Sequence, residues 1–237
     1  MRFEKLNELK RWFQKDRDSL AHLAVEYGIA LFVAILIAIF IRSYLFEAYR
    51  IPSPAMRPTL EAGDTIFVAK WPYASGKSLP SYGEVVVFSS PEDPGRDFIK
   101  RVVGRPGDVI ELKAGRLSIN NKDITSAGDT RANCGKENPP RASYDICWEP
   151  PTLEDYGPEK VPEGFVFVLG DLRTQGKDLR RLRGWGLVPA SAVKARALWI
   201  WLSIEPAGAG GSWFSRIRFE RMFKRIQPRE ESGAKAT

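Results

Sequence analysis

FEAYRIPSPAMRPTL, residues 46–60, is the stretch on which the reading of the fold turns. It begins where a long apolar run ends, and it closes on Pro-Thr-Leu. Upstream, residues 24–46 are apolar apart from Glu26 and Arg42. Downstream, short runs rich in Val, Ile and Phe alternate with Pro and Gly. The first texture belongs to one long helix and the second to a β domain.

The uncharged centre of the upstream run, Tyr27 to Ile41, spans about 22 Å at the helical rise. A hydrocarbon core is roughly 30 Å thick, and Glu26 and Arg42 cover the difference by snorkelling at the two ends. A soluble surface helix would carry a polar stripe, and this run carries none. Residues 24–46 are therefore expected to form a transmembrane signal-anchor helix. No small-x-small site follows it, because Arg42, Tyr44, Phe46 and Glu47 are bulky or charged, so cleavage is not expected. In residues 1–23, Lys5, Lys10, Arg11, Lys15 and Arg17 outnumber Glu4, Glu8, Asp16 and Asp18, around scattered Leu6, Leu9 and Trp12. This segment is expected to lie on the cytoplasmic face as an amphipathic helix, with everything after Arg42 on the far side of the membrane.

Beyond residue 46, β-type runs are expected at Thr65 to Ala69, Glu84 to Phe88, Phe98 to Val103, Val109 to Leu112, Arg116 to Asn120, Phe165 to Leu169 and Val193 to Ile204. Their spacing predicts a mainly β, mostly antiparallel domain over residues 47–112 and 164–211. Residues 113–163 carry few strong runs and read as an inserted subdomain. In an exported domain its Cys134 and Cys147 would most simply pair and brace the loop. The alternative, two free buried thiols, fits only an intracellular topology. Residues 212–237 interleave Trp213, Phe214, Ile217, Met222, Phe223 and Ile226 with Arg216, Arg218, Arg221, Lys224 and Arg225. That pattern predicts a short basic amphipathic helix, either on anionic lipid or docked on the β domain, followed by a disordered tail after Pro228.

The composition narrows the chemistry. At 237 residues with 43% hydrophobic side chains the chain can bury one good core, or one with a small satellite. A formal charge of +7 points to an anionic partner. Zinc-finger spacing, RNP-type aromatics and basic-region heptads are all missing, which favours a phospholipid membrane over nucleic acid. His22, close to the N-terminus, is the single histidine, which argues against a Ser-His-Asp triad, a Cys-His dyad and most zinc sites. No metal or cofactor is expected, and hydrolysis here needs a base other than histidine.

Four blocks in order then agree with one family: RSYLFEAYRIPSPAMRPTL (42–60), GDTIFVAKWPY (63–73), GEVVVFSSPEDPGRDFIKRVVGRPGD (83–108) and GDLRTQGKD (170–178), the last followed by WGLVP (185–189). On these the chain resembles the bacterial type I signal peptidases, membrane-anchored serine proteases that remove signal peptides from exported preproteins. The resemblance implies a Ser/Lys dyad with Lys100, in DFIKRVVG, as general base. A lysine amine must lose its charge to serve, so it must be desolvated. It also implies Ser53 as an oxyanion-hole donor, with the Ala55 N–H beside it. The nucleophilic serine maps onto Ala55, whose methyl group cannot attack a carbonyl.

Further departures are Gly176 and Leu172, which stand where the family has serine and asparagine, and about three extra residues between Arg180 and Trp185. Ala55 fits an inactivating change in a working protease or a natural pseudoprotease that binds signal peptides or scaffolds a membrane complex. The resemblance further implies that the substrate adds as an extended strand to a sheet edge, with Tyr49, Ile51, Pro52, Phe98 and Ile99 lining small apolar pockets and Met56 and Leu60 beneath. Asp171, Arg173, Asp178 and Arg180 match the charged set around the lysine and are expected to form a structural ion-pair network.

Overall fold

The change of texture at residue 46 is a change of structure. In the computed structural model, the described residues are 22–73, 78–90, 95–127, 133–150, 155–174, 186–206 and 214–228. The first of two units, Met1–Leu45, contains the helix His22–Leu45, long and apolar enough to cross a membrane. Its last turn, Ile41–Leu45, is π-helical. Ile29, Phe32, Leu36 and Phe40 are all exposed, the opposite of a buried core helix. The amphipathic helix expected at the start of the chain lies outside the described residues.

The second unit, Phe46–Thr237, is built from strands β1 (Phe46–Arg50), β2 (Asp64–Ala69), β3 (Val85–Ser89), β4 (Asp97–Gly104), β5 (Val109–Lys113), β6 (Arg116–Ile119), β7 (Lys122–Asp123), β8 (Thr125–Ala127), β9 (Cys134–Glu137), β10 (Tyr144–Trp148), β11 (Tyr156–Lys160), β12 (Phe165–Leu169), β13 (Leu172–Arg173), β14 (Leu187–Pro189) and β15 (Val193–Ser203). Seven of them form an antiparallel sheet in the order β1-β2-β15-β3-β4-β12-β14. The others form two four-stranded sheets, β13-β10-β9-β8 and β11-β5-β6-β7. Each of the seven anticipated runs coincides with a strand to within one residue at either end.

Strand β3 shows why the large sheet holds together. Its side chains point alternately to opposite faces. Val85 and Val87 join Ile66, Val68, Leu60 and Ile200 in one core cluster, while Val86 and Phe88 join Val102, Val166 and Val188 in another. Both faces are covered, so the strand reads as a continuous β-branched and aromatic run. Segment 113–163 is ordered by a third cluster, in which its Leu117, Ile124, Tyr144 and Ile146 meet Val103, Phe167 and Leu169 of the large sheet.

The C-terminal segment corrects the expectation of an amphipathic helix. Among the described residues it forms only the short 3-10 turns Phe214–Arg216 and Phe219–Arg221. The reason is competition for backbone partners. Strand β15 pairs with β3 only from Val193 to Arg196, leaving that edge open further along, and the tail fills it. Ile204 bridges Ile217, Trp199 bridges Arg225, and the Phe223 amide donates to the Ile200 carbonyl.

Two of the tail's arginines are fixed by Asp64. Arg218 and Arg221 both donate to its carboxylate, which also accepts from the Ser203 hydroxyl and the Glu61 amide. Burial pushes the Asp64 carboxyl up, but the bonds from Arg221, Glu61 and Ser203 outweigh it and hold it below its ordinary value. A carboxylate depressed in the folded state contributes its full stability above the unfolded value of about 3.9 and loses it as pH falls through the folded one. Asp64→Asn is therefore expected to lower the thermal midpoint near neutral pH. Calorimetry should show the gap between variant and parent closing as pH drops below about 4.

Candidate active site

Residues 51–60 leave the large sheet as an irregular turn whose ends are pinned. The Ile51 amide donates to the Asp64 carbonyl, and the Gly63 amide donates back to Ile51. Gly63 has φ +93, and a methyl there would meet the Ile204 carbonyl oxygen at 2.0 Å, so only glycine fits. Within the turn the Arg57 amide donates to Pro54 and the Leu60 amide to Met56. Ile51, Met56 and Leu60 point into the core, Ser53 and Ala55 are half-buried, and Pro52 is exposed.

Lys100 arrives on β4, whose side chains become buried from this residue onward. It is 5% exposed and pairs with Val86 of β3. Strand β12 pairs with β4 only from Arg101 to Gly104. Ahead of that pairing, Asp97, Phe98 and Ile99 lie opposite Ser89, Phe88 and Val87 of β3.

Gly170, directly after β12, closes the corner. A methyl on it would lie 2.5 Å from the Ala55 carbonyl oxygen and 3.5 Å from Lys100 Nζ. The Ala55 carbonyl and the Lys100 amine thus both flank this bare glycine. The Leu172 amide donates to that same Ala55 carbonyl at 3.2 Å. Gly170→Ala would force backbone apart at a packed junction, an overpacking cost of about 1–3 kcal/mol. Urea unfolding should show a lower midpoint with unchanged slope.

The charged residues beside this corner are buried. Arg101 grips Asp171 with two bonds, Nε to Oδ1 at 2.7 Å and Nη2 to Oδ2 at 2.6 Å. Thr59 from the turn donates to Asp171 Oδ2 at 2.5 Å and accepts from Arg101 at 2.9 Å. Burial works against the Arg101 charge, but Asp171 outweighs it and holds the guanidinium above its ordinary value. Arg173 likewise is raised by Glu137 against the cost of burial. Asp178, Arg180 and Gly176 lie outside the described residues.

The residues expected to line the substrate pockets divide. Tyr49, Ile51, Met56 and Ile99 gather around one core cluster. Phe98, the neighbour of Ile99, points to the opposite face, stacks on Phe88 at 6.0 Å and joins a different cluster. Tyr49 donates to Asp97 at 3.1 Å, tying β1 to the start of β4. Burial, then Glu47 and Asp97, push its phenol well above the usual range. Cys134 and Cys147 are joined in a disulfide. Among the described residues, no group of three or more His, Cys, Asp or Glu side chains could hold a metal ion.

Thr59, Arg101, Glu137 and Gly170 were not singled out as site residues from sequence. Thr59, Arg101 and Gly170 fall inside recognised blocks, so the signal was available. Glu137 carries none, because its partner Arg173 is remote in the chain.

The irregular turn of residues 51–60 and the buried Lys100 of the β sheet both flank Gly170. Residues 24–202 match the family model "Signal peptidase, peptidase S26". The chain is 33% identical over 226 residues to signal peptidase I of Pseudomonas fluorescens, covering 82% of this chain and 78% of that one. It is 35% identical over 179 residues to probable signal peptidase I-2 of Synechocystis, covering 73% and 71%. A crystal structure of a signal peptidase I from Enterococcus faecalis aligns with a TM-score of 0.32 and 26% identity, over 49% of this chain and 95% of that one. The chain belongs to the bacterial type I signal peptidases.

Proposed function

We propose that this chain is built to process the signal peptides of exported preproteins, and that with Ala55 in place it holds the cleavage region without cutting it. The observation that carries this is the corner at Gly170, which the Ala55 carbonyl and the buried Lys100 amine both flank. Lys100 is 5% exposed, the buried setting that a lysine base requires. The helix His22–Leu45 anchors the chain in the bacterial inner membrane, with the N-terminus in the cytoplasm and the β domain on the outer side. Exposed Trp201, Phe214, Phe219 and Phe223, interleaved with Arg216, Lys224 and Arg225, suit an anionic lipid surface.

The substrate adds as a strand along the first half of β4, ahead of the β12 pairing, where backbone groups of Asp97 to Ile99 supply register. With a serine at residue 55, its hydroxyl would attack the scissile carbonyl while Lys100 takes the proton. Ser53 and the backbone amide of residue 55 would stabilise the oxyanion, and the leaving amine would recover the proton from Lys100. Water then hydrolyses the acyl-enzyme by the same base. Alanine stops this sequence at binding.

A second reading, capture without cleavage as the native role, is favoured by Leu172. It is 8% exposed and sits beside Ala55 where the family resemblance places asparagine. Ala55→Ser separates the two. Cleavage of a preprotein in detergent after a small-x-small sequence, lost again on adding Lys100→Ala, upholds the protease; a folded, inert Ala55→Ser chain that still crosslinks to signal peptides upholds capture.

A further inference from the structure

Glu137 has no place in the chemistry above, yet it is one of the most deeply buried charges among the described residues. It sits on β9 of the inserted segment and is 0% exposed, facing Arg173, which is 1% exposed. Arg173 Nη2 donates to Oε2 at 2.6 Å, and Nη1 approaches Oε1 at 2.5 Å as an ion contact without hydrogen-bond alignment. Tyr144 on β10 donates to Oε2 at 2.9 Å. A buried ion pair is a poor source of net stability, since apolar side chains of similar volume do as well. What it supplies is one fixed orientation for the arginine.

That orientation is used. Arg173 Nε donates to the Gly170 carbonyl at 2.9 Å, and Gly170 forms the corner between the Ala55 carbonyl and Lys100 Nζ. A second tie runs through the backbone of the same hairpin. Strand β10 lies parallel to β13, the Cys147 amide donates to Asp171, and the Leu172 amide donates to Ala55. The Cys134–Cys147 disulfide clamps β9 to β10, opposite one another in register. The inserted segment therefore reaches the site twice, once through Glu137 and once through Cys147.

We propose that Glu137 is a positioning residue: acting through Arg173, it fixes the Gly170 carbonyl and so sets how the residue 55 turn faces Lys100. Its catalytic consequence rests on the protease reading, but the positioning itself does not. The direct test is hydrogen–deuterium exchange by mass spectrometry on the full chain in detergent, with Ala55 in place. Glu137→Gln keeps the side-chain shape and removes the charge. Exchange in peptides spanning residues 168–173 is expected to rise about tenfold, while residues 64–69 stay within about twofold, because local opening is separable from global unfolding. Equal acceleration in both segments, or none in either, overturns the proposal.

Tyr144→Phe removes only the phenol donor to Glu137 and should give the same local pattern at smaller size, so it serves if Glu137→Gln does not fold. In the Ala55→Ser chain, Glu137→Gln should lower kcat about tenfold with KM within about twofold, the signature of misplacement rather than lost binding. An unchanged kcat overturns the proposal. If the Ala55→Ser parent is itself inert, the protease reading fails, and the exchange pattern alone upholds or overturns the positioning role.

Discussion

Ala55→Ser is expected to raise preprotein cleavage by at least about 10⁴-fold over the chain with alanine, which corresponds to roughly 5.5 kcal/mol of barrier. The size follows from what is present and what is missing. The turn is pinned and Lys100 is buried, and the proposed chemistry, with Ser53 as oxyanion donor, lacks its attacking oxygen. Substituting alanine by serine adds one heavy atom at a half-buried position whose carbonyl is already fixed by Leu172. The restored activity should depend on the Lys100 amine, the group proposed to accept the hydroxyl proton. Steady-state kinetics measures this, and Lys100→Ala in the same background should remove the activity. Adding Leu172→Asn then shows whether the second departure costs anything once the nucleophile is back.

Most of the large sheet was legible in the sequence because its strands are local signals. Val85-Val86-Val87-Phe88 and Phe165-Val166-Phe167-Val168 could hardly be anything but buried strands. Lys100 and the turn around Ala55 were picked out for another reason: their blocks match a known family. The tail was misread because its alternation of aromatic and basic side chains satisfies a helix as well as an edge strap. What decided between them was the open edge of β15 and the carboxylate of Asp64, both remote in sequence. Residues 113–163 looked weak because their strands are short and their core is borrowed from Val103, Phe167 and Leu169. Glu137 was invisible for the same cause, a partner supplied by tertiary structure. Phe98 and Ile99, consecutive on β4, face opposite sides of the sheet and join different clusters.

Asp171→Asn is expected to be the most destabilising polar substitution in the β domain, by about 3–5 kcal/mol, since it strands a buried guanidinium. Arg101 is 1% exposed and Asp171 0%, so neither can turn to water when its partner is lost. Asparagine keeps the shape but cannot match a fork that donates twice, and Thr59 loses its charged acceptor as well. Replacing both partners should behave differently. Arg101→Met with Asp171→Leu removes the stranded charge, so urea unfolding should recover much of the loss, the coupling a double-mutant cycle reads. Recovery will be incomplete, because Arg101 also donates to the Gly83 carbonyl at 2.6 Å and lies 4.3 Å over the Tyr144 ring. Stability regained without activity, measured in the Ala55→Ser chain, would mean that the pair orients the Thr59 end of the turn against β13. Activity regained with stability would reduce the pair to packing.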